Sequence, residues 1–454
     1  MANGTTAGQS THANAVSWRV WLPTVALFQF VYIVAHVHRQ ILSIVVGPVK
    51  ASLGLSDLQI GLLQGFAFTA VIAVTAVMTA PIVDKGNRVR LVGIAMAIWC
   101  TMTIGCGLAT NFGMMLFART GLAIAEAVIP MAVLSLICDI VPRSSVPRAA
   151  SLFIAASFLG SGFMLLGSGP LLAWLEIYRG QDLPLIGALE PWRGLFFVLG
   201  APGLMVGLLI LAMMREPARQ DVRNAADDGK SVLPFLWANR DFFVSLLAFT
   251  AITVAVSYVV YAWMPTYMIR VHGYNVKTAG LEVGSIFVTS GIAGCMFGAW
   301  IMSRSTDEQA MGHVVRTMVR LFYLFAPALV LMALAPNATV ALILLAIAFF
   351  LMSAAVSSVM TPLPLMAPPY LRGRVTAVGG LVNSAIGGLG PLVVGAITDI
   401  VFKAPDKIGD SLALTFAVAC IIGLICGPRA ARIATRIDRE RAMLPHAENA
   451  QPRA

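Results

Sequence analysis

The sequence predicts an all-α polytopic membrane protein whose twelve transmembrane helices form two pseudo-symmetric six-helix bundles. Three observations predict it. Of 454 residues, 58% are hydrophobic and 11% charged, whereas a soluble domain holds about 45–50% apolar and roughly 25% charged residues. The apolar residues gather in runs of bilayer length, about 20 residues each. One long polar stretch, residues 215–240, divides those runs into two equal sets.

The elements follow in chain order. Residues 1–17 are rich in Ala, Ser, Thr and Gly and are expected to form a disordered cytoplasmic tail. They lack the basic start, short apolar core and cleavage site of a removable signal peptide, so the first span is expected to act as its own insertion signal. The N-terminal bundle, 18–214, contains spans at 18–40, 57–83, 88–109, 113–141, 148–175 and 193–214. Ser56, with Gln59 three residues on, has the spacing of a capping box opening the second span. The cytoplasmic linker, 215–240, carries Glu216, Arg219, Asp221, Arg223, Asp227, Asp228 and Lys230. The C-terminal bundle, 241–431, contains spans at 241–269, 277–303, 312–335, 338–364, 374–402 and 411–431, and 432–454 are expected to be a cytoplasmic tail. Small residues such as Gly160, Ser161, Gly162, Gly387, Gly388 and Gly390 suit close helix approach in lipid, where packing drives association.

The charges orient the chain. With both termini inside, roughly 22 Lys and Arg fall in cytoplasmic segments and about seven in outer loops, as the positive-inside bias requires. This accounts for the net charge of +10 through contact with anionic lipid, with no nucleic-acid partner. The six cysteines all sit in apolar runs without paired ligand spacing, so no disulfide, metal or cofactor is expected.

The segment Asp84-Lys85-Gly86-Asn87-Arg88-Val89-Arg90, between the second and third spans, resembles motif A of the major facilitator superfamily. Twelve spans in two halves around a charged linker resemble that superfamily over nearly the whole chain. Within it, the chain is most similar to the bacterial Spinster-like branch. That resemblance rests on His38-Arg39-Gln40, on Leu55-Ser56-Asp57-Leu58-Gln59-Ile60-Gly61-Leu62-Leu63, and on Arg119-Thr120-Gly121-Leu122-Ala123-Ile124-Ala125-Glu126-Ala127, with Pro191-Trp192-Arg193 and Arg215-Glu216-Pro217 flanking the sixth span. His38 stands where the branch usually has Asp, and the second-half echo of motif A, Gly298 to Arg304, has no Asp.

Ionisable residues at membrane depth are costly unless paired or facing water, and so mark function. Arg119 and Glu126, seven apart, project from one side of the fourth span, and Phe28, Tyr32, His36 and Arg39 form a stripe on the first. If those spans face each other, as the resemblance implies, Glu126 pairs with Arg39 or Arg119. The group Glu126, Arg39, Arg119 and His38 then becomes a candidate proton-coupling network; a permanent ion-pair network holding the helices in register is the competing reading. His38 would supply a protonatable group in place of the Asp, or rest as a neutral hydrogen-bonded side chain. Tyr32, His36, Tyr258, Tyr261 and Asn383 are candidate cavity residues, the tyrosines also serving simple packing. Asp84, Arg88, Arg90 and Asp139 are candidates for a cytoplasmic gate latching the outward-open state, with Arg372 or Arg374 as further partners.

A charged first-half wall facing an aromatic second-half wall predicts a small amphiphilic or anionic organic solute, lysolipid-like or an organic acid. The expected function is a monomeric, proton-coupled secondary active transporter of the cell inner membrane, working by alternating access. A proton-independent exchanger or facilitator and a non-transporting solute sensor are the alternatives. No HExxH, GxSxG or Walker-type loop is present, so neither enzymatic chemistry nor ATP drive is expected.

Overall fold

The computed structural model describes residues 18–142, 146–184, 187–214, 216–217, 231–304 and 310–443; of residues 18–20, 84, 146–148, 150–152, 154–155, 183 and 369 only the backbone is described. The N-terminal half contains α1 (Trp18–Ile44), α2 (Val46–Leu53), α3 (Asp57–Gln64), α4 (Phe66–Lys85), α5 (Arg88–Leu108), α6 (Phe112–Ile140), α7 (Val146–Glu176) and α8 (Pro191–Met213). A two-residue hairpin, β1 (Asp182–Leu183) with β2 (Gly187–Ala188), joins α7 to α8. After α9 (Leu233–Ala238) the C-terminal half contains α10 (Arg240–His272), α11 (Val276–Met302), α12 (Ala310–Ala333), α13 (Ala338–Val356), α14 (Pro362–Met366), α15 (Arg372–Gly387), α16 (Leu389–Ala396) and α17 (Ile408–Met443). Among the described residues 12 helical segments are long and apolar enough to cross a membrane.

Local chemistry explains where helices begin and break. Ser56 Oγ accepts from the Gln59 N–H at 3.2 Å while Gln59 Oε1 accepts from the Ser56 N–H at 2.9 Å, which is the capping box the sequence spells. The second span is one apolar run in sequence but two helices in space, broken at Gly65. A β-carbon there would lie 2.3 Å from the Gly388 carbonyl oxygen, and Gly388 marks the break between α15 and α16. The two interrupted spans meet at their breaks, because only residues without side chains allow that approach.

Two expected boundaries shift. The linker contains α9, and the last span continues as one helix past residue 431 to Met443. Residues 432–443 are held against the C-terminal half: Asp438 Oδ2 accepts the Gly312 N–H at 2.6 Å, and Arg441 donates to the Leu365 and Met366 carbonyls at 2.9 and 3.0 Å. Those bonds make this polar segment part of the bundle rather than a tail.

The halves meet along three helix pairs, α7 with α11, α3 with α16 and α4 with α15. Gly162, Gly280 and Gly284 line the first of these contacts and Gly61 and Gly395 the second. The most deeply buried span is α10, which also contacts α1 across the divide.

Candidate functional site

A cavity of about 300 Å³ lies between the halves, walled by Tyr32, His36, Arg39, Gln40, Gln64 and Arg119 from α1, α3 and α6, by Ser157, Phe158 and Ser161 from α7, and by Tyr258, Tyr261, Val356, Met360 and Asn383 from the other half. Of the stripe predicted on the first span, Tyr32, His36 and Arg39 face this space, while Phe28 is buried and is not part of its wall. The predicted Tyr258, Tyr261 and Asn383 face it too.

Charge is concentrated on one wall. Arg39 Nη1 donates to Glu126 Oε1 at 2.8 Å, and its guanidinium lies over two rings, 5.0 Å from the centroid of Tyr258 and 5.2 Å from that of Phe68. Arg119 lies 5.2 Å from the Phe68 centroid and donates through Nε to the Leu63 carbonyl at 3.3 Å. Phe68 thus presents its π-face to two guanidiniums, a contact that strengthens where water is excluded. Two cations and one carboxylate leave this wall one net positive charge.

Among the described residues, three buried donors lining the cavity lack a hydrogen-bond partner, Arg119 Nη1, Gln64 Nε2 and Asn383 Nδ2, and so does a fourth atom, Oε2 of Glu126, the carboxylate that Arg39 holds. Asn383 spends its oxygen on Thr250, whose hydroxyl donates to it at 2.9 Å. Buried polar groups are almost always paired, so unpaired ones beside a cavity point to a ligand or water that completes them. Three of the four are donors. Elsewhere on the wall, His36 donates through Nδ1 to the Tyr32 carbonyl at 3.1 Å and meets the Tyr32 ring edge-on, which stacks in turn on Phe153. Tyr261 packs edge-on against Phe287 and Phe349.

To one side of the cavity the halves are clasped. Asp57, at the start of α3, receives Arg270 from the end of α10 through two parallel bonds of 2.9 Å, and Lys50 from α2 at 2.6 Å. Asp399 reaches across to accept the Leu58 N–H at 2.6 Å, capping α3 from the opposite half. Gln40 Nε2 donates to the Tyr261 carbonyl at 2.7 Å, and Thr266 Oγ1 to the Ser43 carbonyl at 3.4 Å.

A family model described as Major Facilitator Superfamily matches residues 29–391. The chain belongs to the Major Facilitator Superfamily. It is 25% identical over 411 residues to an MFS-type efflux pump of Mycolicibacterium smegmatis, covering 90% of this chain and 92% of that protein. It is 23% identical over 401 residues to a probable L-galactonate transporter of Escherichia coli, covering 84% of each. Its fold is similar to the crystal structure of a bacterial homolog to the human lysosomal transporter Spinster in an inward-facing and unoccupied conformation, with a TM-score of 0.75, 22% identity and coverage of 93% of this chain and 98% of that one. The protein is thus a major facilitator membrane transporter and not an enzyme.

The superfamily's motif A loop is where sequence reasoning placed a gate. Arg88 is buried within the N-terminal half, its guanidinium bound to Asp139 Oδ2 at 2.5 Å, Glu216 Oε1 at 2.7 Å and Ser135 Oγ at 2.8 Å, while Glu216 Oε2 also accepts the Val89 N–H at 3.0 Å. The structure brings Arg88 and Asp139 together, tying α5 to α6 and to the segment after α8. Arg90 is exposed, and the Asp84 side chain lies outside the described residues.

His38 does not join the cavity group. One residue before Arg39, it points about 100° away, into the N-terminal half, where Nε2 donates to the Leu199 carbonyl at 3.0 Å and Nδ1 lies 3.2 Å from Thr103 Oγ1. Among the described residues no three His, Cys, Asp or Glu side chains gather as a metal site. Sequence reasoning missed Gln64, Phe68 and the Asp57–Arg270–Lys50 clasp. An amide inside an apolar run was the available signal for Gln64. Charges at span ends look like ordinary interfacial residues, so nothing in sequence marked the clasp.

Proposed function

We propose that this transporter is a proton-coupled carrier of small organic anions, resident in the cell inner membrane with both termini cytoplasmic and working as a monomer. The observation that carries the reading is the excess of positive charge and unpaired donors at the cavity: Arg39 and Arg119 against Glu126, with Gln64 and Asn383 each offering an unbonded N–H. A carboxylate fits donors that a neutral solute leaves unsatisfied, and the rings of Tyr258 and Tyr261 suit an apolar or ring-bearing remainder. The carrier state is inward-facing, with the Asp57 clasp on the outer side; the similarity to a solved structure described as inward-facing supports this.

Coupling follows from competition for one cation. Arg39 holds Glu126 through a single oxygen and leaves the other unpartnered. A solute anion that takes Arg39 removes the counterion of Glu126, and a buried carboxylate without a partner is neutralised by a proton rather than kept charged. Anion and proton then occupy the site together, and opening to the other side releases both. This is alternating access with a fixed midplane site.

The test is uptake into proteoliposomes under an imposed proton gradient, with panels of sugar acids, other organic acids and lysolipids, comparing wild type with Glu126→Gln. The variant is expected to lose gradient-driven accumulation by at least about tenfold while keeping solute exchange. Accumulation by Glu126→Gln at the wild-type level would defeat the coupling scheme and favour a proton-independent exchanger.

A further inference from the structure

A second cavity, of about 370 Å³, lies between α12 and α17 in the C-terminal half, far along α17 from the clasp, and is walled by Arg316, Arg432, Arg436, Arg439, Thr435 and Ala431. We infer that it is a binding site for the phosphate headgroup of an anionic membrane phospholipid. Four guanidiniums border one pocket, and among the described residues few carboxylates oppose them. Arg436 meets Glu440 at 3.5 Å in an exposed pair, and Asp438 is turned away to the Gly312 N–H. Arg316 is held in place by its bond to Thr435 Oγ1 at 2.6 Å, so one wall of the pocket is already ordered. Guanidinium forks bind phosphate oxygens in pairs, and their geometry favours phosphate over a point anion.

Position selects lipid as the source of that phosphate. On α17 the residues Val418, Ile425, Arg432 and Arg439 are spaced by seven, a step that returns to the same face within about 20°, and Arg436 lies on that face too. Val418 and Ile425 are exposed apolar residues on a helix that spans the membrane. The lipid-facing strip of α17 therefore runs directly into the arginines, which places them where headgroups lie. On α12, Arg316, Arg320 and the exposed Leu324 follow the same succession at spacing four. A lipid in this groove lays its acyl chains along Ile425 and Leu324 and its phosphates among the arginines; basic pockets between helices at the membrane surface bind such headgroups. The site is separate from the central cavity and from the motif A cluster.

The test uses the full chain, delipidated in detergent, with binding followed by native mass spectrometry and by the shift in thermal unfolding midpoint. The probes are cardiolipin, phosphatidylglycerol, phosphatidylcholine and inorganic pyrophosphate. Cardiolipin is expected to bind and to raise the midpoint most, phosphatidylglycerol less, and phosphatidylcholine and pyrophosphate not at all. Removing two surface arginines in Arg432→Gln/Arg439→Gln is expected to weaken cardiolipin binding by roughly 30-fold. The milder Arg436→Gln provides the same comparison if the double variant does not fold. Equal protection by phosphatidylcholine, or wild-type cardiolipin binding in both variants, overturns the inference. Protection by pyrophosphate at the level of cardiolipin assigns the pocket to a soluble phosphate and overturns the lipid assignment.

Discussion

Asp57→Asn tests the clasp most directly. The Asp57 side chain is fully buried, while Arg270 and Lys50 retain 15% and 17% of their side-chain exposure. Breaking a buried ion pair costs about 3–5 kcal/mol because the surviving charge is left uncompensated. Here that figure is too large, since both cations keep some water and asparagine keeps one acceptor oxygen; about 2 kcal/mol is the working value. The loss of the Arg270 pair falls on the clasped arrangement alone, because separated halves expose both groups to water, while Lys50 lies in the same half as Asp57 and its bond does not cross the divide. The ratio of clasped to unclasped molecules should therefore fall roughly 30-fold. Spin labels at Ala51→Cys and Asp406→Cys, both exposed and on opposite halves, report that ratio by double electron–electron resonance in a background without native cysteines. Wild type should give a short distance and Asp57→Asn an added longer component. Arg270→Gln should behave similarly, and the double substitution should be less than additive. An unchanged distance distribution in Asp57→Asn would refute the idea that this ion pair holds the closed end.

The close backbone contact beside the clasp gives a steric counterpart: Gly61→Ala places a β-carbon 2.4 Å from the Pro391 carbonyl oxygen, where no side chain can yield, and should disfavour the clasped arrangement by about 1–3 kcal/mol in the same distance measurement. Gln64→Ala removes an N–H donor with no protein partner, so it should raise the KM for transported anions by about tenfold with little change in thermal midpoint, whereas Asn383→Ala should raise the KM and also lower the midpoint, because it takes away the acceptor of the buried Thr250 hydroxyl; a lowered midpoint with unchanged KM in Gln64→Ala would show that this amide serves packing. His38→Gln can still donate to the Leu199 carbonyl, and its uptake should show the wild-type pH profile, whereas His38→Ala should lose about 1–3 kcal/mol of stability. A displaced pH profile in His38→Gln would return that residue to the coupling scheme.

Much of the candidate site was legible because it violates the composition around it. Arg39, Arg119 and Glu126 are charges inside apolar runs, and helical spacing alone put Arg119 and Glu126 on one face. Tyr32 and His36 followed from the same periodicity. His38 was harder, because a protonatable residue beside a buried arginine looks the same in sequence whether it faces the cavity or the bundle interior; rotation about α1 decides, and the packing of α5 and α8 sets that rotation. Arg88 was legible as a motif residue, but its commitment to Asp139 and Glu216 depends on three segments far apart in the chain.

By itself the sequence determined the membrane location, the number of spans and the capping box at Ser56, because each depends on local composition or on spacing within one helix. Only the tertiary structure decided which oxygen of Glu126 Arg39 takes, that Phe68 is shared by two guanidiniums, that the second and eleventh spans break where they touch, and that Asp57 closes one end across the halves. These depend on residues brought together from distant parts of the chain. In a membrane, where apolar surface alone gives helices little reason to choose partners, close packing of small residues and the pairing of the few buried charges make that choice.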